Sequence, residues 1–240
     1  MFPFLKQILP KNIVSLIINY RRLYKHNIYN ILYSQSGEDG ILKGIFFEKL
    51  SHNQIGFYID VGCYNPQYLS NTCYLYYRGW NGINIDPNSE SIKSFDKFRK
   101  RDKNINVGIW PEEKKLHFNF NTDNPEMSYI SENKNTKNSK MIDCLPLGKL
   151  LDNLKIEKPI DYLNIDVEGN DLSVLESNNW LKYRPKVISI ESLDVSINDI
   201  ETLPLYQYLI NKKYIFLTYT ILKPKAYTLF FIERDIYASF

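Results

Sequence analysis

Several acids and one glycine stand where short apolar runs of the sequence end. They are Asp60, Gly62, Asp86, Asp166, Glu168 and Glu191. If the runs are parallel strands, their carboxyl ends meet at one edge of a sheet, which is where open α/β sheets bind ligands. Carboxylates gathered there can accept hydrogen bonds from hydroxyl groups, take a proton from a substrate or hold a divalent cation.

The spacing of Gly62 and Asp86 favours a nucleoside ligand. Asp86 follows Gly62 by 24 residues, close to the ~20 residues that separate the glycine loop from the ribose-binding acid of dinucleotide folds. The loop after Gly62 lacks the further glycines that let a backbone approach a pyrophosphate. The chain also lacks the phosphate-binding motif of P-loop proteins. The pattern therefore predicts S-adenosylmethionine and argues against NAD, FAD and P-loop nucleotides.

Alternating strands and helices must position these residues. Strands are predicted over residues 57–61, 82–86, 104–109, 160–166, 186–190, 214–219 and 227–232. Helices are predicted over residues 38–50, 71–77, 89–99, 171–177 and 203–209. This alternation is typical of parallel strands with helices on both faces of the sheet.

Five motifs resemble those of the FkbM-type methyltransferases and occur in the same order. They are residues 33–40 (YSQSGEDG), 58–62 (YIDVG), 70–72 (SNT), 79–87 (GWNGINIDP) and 165–169 (IDVEG). The similarity runs from about Tyr33 to Glu233. It implies a class I methyltransferase fold, a Rossmann-like three-layer α/β sandwich whose mostly parallel seven-stranded sheet has an antiparallel last strand. It also implies O-methylation, commonly of sugars in glycans, glycolipids or natural products.

The resemblance assigns eight residues to the cofactor. They are Gln35, Glu38, Asp60, Gly62, Asn71, Asp86, Gly108 and Ile109. Asp60 and Gly62 are expected beside the methionine part, Asp86 at the ribose, and Gly108 and Ile109 beside the adenine. The two residues of the 33–40 motif are expected to close over the cofactor or substrate, and the asparagine to lie near the amino-acid end.

The acids that follow the fourth and fifth strands are the candidate catalytic residues: Asp166, Glu168 and Glu191. Two alternatives stay open, a free carboxylate acting as base or a divalent metal held by these acids. Relatives often carry His where this chain has Asn170, and if that His is their base, this chain needs another. Asn170 is assigned to the substrate.

A polar segment, residues 121–141, has no clear periodicity and is interpreted as a surface loop or an acceptor lid. Within it the candidate substrate contacts are Met127, Ser128 and Tyr129.

Composition limits the partners of the protein. The chain has 240 residues with 30 Lys+Arg against 27 Asp+Glu, for a net charge of +3. Such a balance argues against a nucleic-acid-binding protein, which is usually strongly basic. The expected partner is a sugar or sugar nucleotide. The three cysteines form no metal-binding or disulfide pattern and favour a cytoplasmic location.

Residues 1–32 are predicted to form a basic amphipathic helical segment ahead of a methyltransferase domain over residues 33–240. No acid precedes Glu38, and apolar residues between Ile13 and Tyr24 have helical spacing. The segment is expected to pack on the domain or on a second subunit of a homodimer, or to touch an anionic membrane surface. No apolar run approaches the ~20 residues that span a bilayer. The alternative to an enzyme is a non-catalytic nucleoside-binding scaffold.

Overall fold

A computed structural model describes Pro10, Ile13, residues 32–50 and residues 55–238. The chain divides into two units, Met1–Leu32 and Tyr33–Phe240. The amphipathic helix predicted in the first unit falls almost wholly outside the described residues and stays a prediction. Among the described residues, no helix has the length and apolar character needed to cross a membrane.

The described part of the second unit contains eleven strands. They are β1 Phe57–Val61, β2 Asn81–Asp86, β3 Lys103–Asn106, β4 Gly108–Ile109, β5 Lys114–Asn119, β6 Tyr129–Ser131, β7 Ser139–Leu145, β8 Tyr162–Ile165, β9 Val187–Leu193, β10 Tyr214–Lys223 and β11 Ala226–Glu233.

Seven strands form the main sheet, in the order β10-β11-β9-β8-β1-β2-β3. The pairs β1–β2, β2–β3, β1–β8 and β8–β9 are parallel. The last strand, β11, runs antiparallel to both of its neighbours. The predicted mostly parallel seven-stranded sheet with an antiparallel last strand is therefore confirmed.

Helices accompany the strands. They are α1 Glu38–Lys43, continued by a π-helical stretch Gly44–Leu50, then α2 Cys73–Tyr77, α3 Ser89–Phe98, α4 Leu147–Asn153, α5 Asp171–Glu176, α6 Pro204–Asn211 and α7 Arg234–Tyr237. Two short 3-10 helices span Pro125–Met127 and Ile197–Thr202.

Apolar side chains bury both faces of the main sheet. On one face, Ile59 and Leu163 belong to a core that includes Leu151 of α4 and Leu209 of α6. On the other face, Tyr58 and Tyr162 pack in a cluster with Leu42 and Phe46, while all five residues of β1 are buried. Parallel strands covered on both faces give the three-layer sandwich that the sequence predicted.

A second, four-stranded sheet of order β4-β7-β5-β6 was not predicted. It corrects two expectations: the predicted strand 104–109 is divided between β3 and β4, and the segment 121–141 contains β6 and the start of β7. The sheet has its own small core of Leu116, Phe118, Ile130 and Cys144. Because the residues between these core positions are polar and partly exposed, the sequence showed little apolar signal there.

Candidate functional site

The ends of β1 and β8 approach each other closely at Gly62. Asp166 N donates to Val61 O at 3.0 Å, and Gly62 N donates to Ile85 O of β2 at 2.9 Å. Gly62 has φ +81°, and a Cβ added there would lie 1.8 Å from the carbonyl oxygen of Asp166. Only glycine permits this backbone conformation together with this contact.

Asp86 presents a buried carboxylate at the end of β2. Its two oxygens accept backbone N–H groups, Oδ2 from Tyr64 at 2.9 Å and Oδ1 from Asn88 at 2.7 Å. Burial raises the pKa of Asp86 to about 6, although these two donors act to lower it. Each carboxylate oxygen has a second acceptor site, so Asp86 can accept two further hydrogen bonds from a diol.

Two adjoining cavities open at these strand ends. The first cavity, lined among others by Asp86, Ser91, Ser128 and Tyr129, encloses about 440 Å³ of space that is partly open to solvent. The second cavity encloses about 690 Å³ of space that is also partly open to solvent.

The second cavity also has lining residues that the first cavity lacks. Its lining includes Gln35, Met127, Glu191, Leu222 and Lys223. Residues shared by both cavities show that the two are neighbours. They are Gly62, Tyr64, Glu126, Asp166 and Glu168.

Asp166, Glu168 and Glu191 form an acid cluster between the cavities. One oxygen from each residue lies within 4.8 Å of the others. Glu191 is only 7% exposed, and its Oε2 has no hydrogen-bond partner among the described residues. The structure therefore brings together the three acids that were predicted to be catalytic.

The environment of the acid cluster favours protonated carboxyls. Burial raises the pKa of Glu191 far above its usual range, and the charge of Asp166 raises it further. Burial also raises the pKa of Asp166. The pKa of Glu168 rises to about 7, first through burial and then through the charge of Asp166, with Lys223 acting in the opposite direction. Carboxylates this close share a proton in the absence of a cation.

A strained turn brings Glu168 back to the cluster. Glu168 has φ 55°, a left-handed conformation that is uncommon for a residue with a side chain. The buried carboxylate of Asp171 fixes the turn by accepting Val167 N at 3.2 Å and Gly169 N at 3.1 Å. Burial raises the pKa of Asp171 to about 8, with the charge of Asp166 adding to the effect.

Asn170, which is predicted to contact the substrate, is not among the lining residues of either cavity. Its Nδ2 donates to Ile130 O of β6 at 2.9 Å, which ties the turn to the small sheet. The other three predicted substrate residues do line cavities: Met127 the second, and Ser128 and Tyr129 the first.

Asp60 and Asn71, predicted near the methionine part of the cofactor, are not among the lining residues of the two cavities and belong to a buried polar network. Asp60 accepts from Thr72 Oγ1 at 2.6 Å and from Asn164 Nδ2 at 2.9 Å. Asn71 Nδ2 donates to Asn164 Oδ1 at 3.1 Å. Both carboxylate oxygens of Asp60 thus have protein partners, and the network supports the ends of β1 and β8.

Three further predicted cofactor residues are also away from the cavity walls. Gly108 packs so tightly in the small sheet that an added Cβ would lie 2.5 Å from Cys144 Sγ, and Ile109 is buried in the main core. Glu38 is fully buried and accepts from Ser36 N at 2.8 Å, from Thr228 Oγ1 at 3.3 Å and from Thr220 Oγ1. Of the 33–40 motif, Gln35 is the residue that lines a cavity.

Several lining residues were missed from the sequence. Tyr64 has φ 47° and gives its N–H to Asp86, while Lys223 stands at the tip of the β10–β11 hairpin. Glu126 lines both cavities from its 3-10 helix. The position of Tyr64 directly after the Gly62 loop was an available signal, but nothing in the sequence distinguishes Glu126 from other acids.

Comparison with known proteins places the chain in a family. The model of the methyltransferase FkbM domain matches residues 60–216, more than half of the chain. No curated protein matched the sequence.

Three solved structures are distantly similar. A precorrin-6y C5,15-methyltransferase from Geobacter metallireducens has 9% identity and a TM-score of 0.40, covering 80% of this chain and 87% of its own. A TehB-like SAM-dependent methyltransferase from Corynebacterium glutamicum has 9% identity and a TM-score of 0.44, with 91% and 96% covered. Fibrillarin from Aeropyrum pernix, solved with natively bound S-adenosyl-L-methionine, has 10% identity and a TM-score of 0.45, with 81% and 73% covered. From the match over residues 60–216, the chain belongs to the FkbM methyltransferase family, a family of S-adenosylmethionine-dependent methyltransferases.

Proposed function

We propose that the protein transfers a methyl group from S-adenosylmethionine to a hydroxyl oxygen of a sugar. The sugar is nucleotide-activated, polymer-bound or lipid-linked and belongs to a surface glycan or natural product, as the family resemblance implies. The observation that carries the proposal is that the two cavities adjoin. Asp86, the candidate ribose-binding acid, lines the first cavity, and the acid cluster lies where the two cavities meet.

The residues of the first cavity fit the cofactor. Asp86 keeps acceptor sites for the two ribose hydroxyls, and the missing side chain of Gly62 lets the ends of β1 and β8 meet at the wall of this cavity. When bound, S-adenosylmethionine supplies a methyl group that is already activated on a sulfonium. The chain therefore has to hold the acceptor oxygen in line with the methyl carbon, and alignment of this kind can supply up to ~7–11 kcal/mol.

The second cavity fits the acceptor because it combines hydrogen-bonding groups with carboxylates. In the transfer the oxygen–carbon bond forms as the carbon–sulfur bond breaks, S-adenosylhomocysteine leaves, and the hydroxyl proton passes to a carboxylate. We assign this proton to Glu168 because it is half-buried and lines both cavities. A positioned base contributes roughly 10²–10⁴-fold to the rate.

The surroundings of the site also bear on partners and location. Cys63, Cys73 and Cys144 are free and buried, which supports a cytoplasmic location. Peripheral membrane contact and homodimer formation through residues 1–32 stay proposals based on the sequence.

The test is a calorimetric titration of the full chain with S-adenosylhomocysteine. We expect Asp86→Ala to weaken binding by about tenfold or more, since hydrogen bonds to a charged group contribute ~1.5–3 kcal/mol. Glu90→Ala is the matched control, an acid nearby on α3 whose side chain faces solvent. If folded wild-type protein does not bind the ligand, the proposal fails and a scaffold without cofactor chemistry is the better account.

Activity is tested with S-adenosylmethionine and three groups of acceptors: nucleotide sugars, oligosaccharides and lipid-linked sugars. We expect S-adenosylhomocysteine to accumulate with one group and the methyl group to be found on a sugar oxygen. Methyl transfer to nitrogen or carbon, or to a non-sugar acceptor alone, would contradict the proposed substrate.

A further inference from the structure

We propose that Asp166, Glu168 and Glu191 bind one divalent cation, Mg²⁺ or Mn²⁺, which in turn binds the hydroxyl groups of the acceptor. Its role in methyl transfer rests on the proposed function, whereas binding of the ion itself does not. All three ligands are carboxylates, and oxygen-only sites suit hard cations rather than zinc or copper.

The distances within the acid cluster suit a single ion. Ligand oxygens around a Mg²⁺ ion, with bonds of ~2.0–2.1 Å, lie about 3 Å apart when adjacent and about 4 Å apart when opposite. One oxygen from each of the three acids lies within 4.8 Å of the others. Small adjustments of the three side chains therefore bring them to one cation without movement of the strands.

The unpaired oxygen of Glu191 is a separate observation that points to a ligand. Glu191 lines the second cavity, is 7% exposed, and its Oε2 has no hydrogen-bond partner within the described ranges. Leaving a carboxylate buried and unpaired is costly, and the charge must be neutralised by a proton or a cation. None of the ion pairs formed by the described residues includes a member of the acid cluster.

The main sheet holds two of the ligands in register. Ile165 of β8 pairs with Ile190 of β9, so the next residues, Asp166 and Glu191, stand side by side at the sheet edge. Glu168 returns to them through its left-handed backbone, with the turn held by Asp171. Ligands fixed in this way lose little conformational freedom when an ion binds.

This arrangement limits the kinds of acceptor that can bind to the ion. Three protein oxygens leave about three positions of an octahedral ion free for other oxygens. Two adjacent positions suit the neighbouring hydroxyls of a sugar, and a bound cation lowers the pKa of a hydroxyl that it binds. Since each acid uses one oxygen on the ion, Glu168 keeps its second oxygen to accept the proton. The structure thus favours an acceptor with a vicinal diol.

The test is titration of the chelator-treated full chain with Mn²⁺, followed by the electron paramagnetic resonance signal of the free ion. We expect one Mn²⁺ per chain in the wild type. Glu191→Gln and Glu168→Gln should each weaken binding by about tenfold or more, because loss of even an outer-shell partner costs ~10–100-fold in metal affinity. Glu168 is half-buried, so its variant keeps the test valid if Glu191→Gln does not fold.

Glu126→Gln is the matched control, since Glu126 lines both cavities but lies outside the acid cluster. Its charge acts on Glu168 only through space, so its loss should weaken Mn²⁺ binding much less than the loss of either ligand. Absence of Mn²⁺ binding, or equal losses in all three variants, would overturn the proposal, because equal losses indicate a diffuse negative potential rather than ligands.

A parallel titration of each sample with S-adenosylhomocysteine in chelator separates the two proposals. Ligand binding without Mn²⁺ binding overturns the cation site and leaves the methyltransferase proposal intact. Mn²⁺ binding that depends on Glu191, without ligand binding, supports the cation site and overturns the proposed function. Methyl transfer that is unchanged by chelator would also overturn the catalytic role of the ion.

Discussion

At the scale of single residues, the raised pKa of Asp86 links cofactor binding to pH. Burial raises this pKa to about 6, and ribose hydroxyls need the ionised carboxylate as acceptor. As pH falls through 6, protonation of Asp86 therefore competes with ligand binding. The affinity for S-adenosylhomocysteine should drop by about tenfold between pH 8 and pH 5. Calorimetric titrations across this range measure the effect.

The control for this pH dependence is Asp86→Asn, which cannot ionise. We expect weaker binding with a flat profile between pH 8 and pH 5. If the variant keeps the wild-type profile, the titrating group is another acid of the cavities, such as Glu168, and Asp86 does not hold the ribose.

Individual site residues could be predicted where strand ends alone determine their position. Gly62 and Asp166 directly follow β1 and β8, and Asp86 is the last residue of β2. Glu191 lies on β9 beside Asp166, so the sheet brings these residues to the cavities. Asp60 lies within β1 and is turned into the buried polar network instead. Whether an acid of this kind faces a ligand or a buried amide depends on side chains from distant segments, which a local pattern does not show.

At the scale of elements, the contact between the ends of β1 and β8 gives a prediction about two glycines. Gly62→Ala combines a left-handed backbone with a Cβ 1.8 Å from the Asp166 carbonyl oxygen, and should lower the free energy of unfolding by roughly 2–5 kcal/mol. Gly169 also has positive φ, at +96°, but an added Cβ meets nothing within 4 Å. Gly169→Ala should therefore cost only ~1–2 kcal/mol.

Urea unfolding of the two glycine variants beside the wild type measures these losses. Equal losses would show that the β1 and β8 ends separate easily, and that the contact at Gly62 does not define the shared wall of the cavities.

The strands of the main sheet could be predicted because both of their faces are buried. β8 reads Tyr-Leu-Asn-Ile, with all four residues buried, and such runs stand out from their surroundings. β5 has only part of its length buried and begins with two lysines, and β6 has three residues. Short strands with one solvent-exposed face form mainly through pairing with strands distant in the sequence, so the small sheet was missed.

At the scale of the whole molecule, Glu38 connects segments from opposite ends of the chain. Its carboxylate accepts from Thr220 of β10 and Thr228 of β11, which lie 182 and 190 residues away, and from Ser36 beside it. Gln35 and Lys223 of the same two segments line the second cavity. The sequence predicted a role for the 33–40 motif but not this one, because contacts at such separation leave no periodic signal.

Glu38→Gln should loosen both segments together. The amide offers an N–H group where the carboxylate accepted hydrogen bonds, and loss of hydrogen bonds to a buried charged group costs ~1.5–3 kcal/mol each. We expect faster backbone hydrogen exchange, measured by mass spectrometry, in residues 33–40 and in residues 220–228. Glu48→Gln, an exposed acid in the π-helical stretch, is the control and should leave both segments unchanged. Faster exchange in one segment alone would mean that each is held independently, and that Glu38 does not join the two sides of the second cavity.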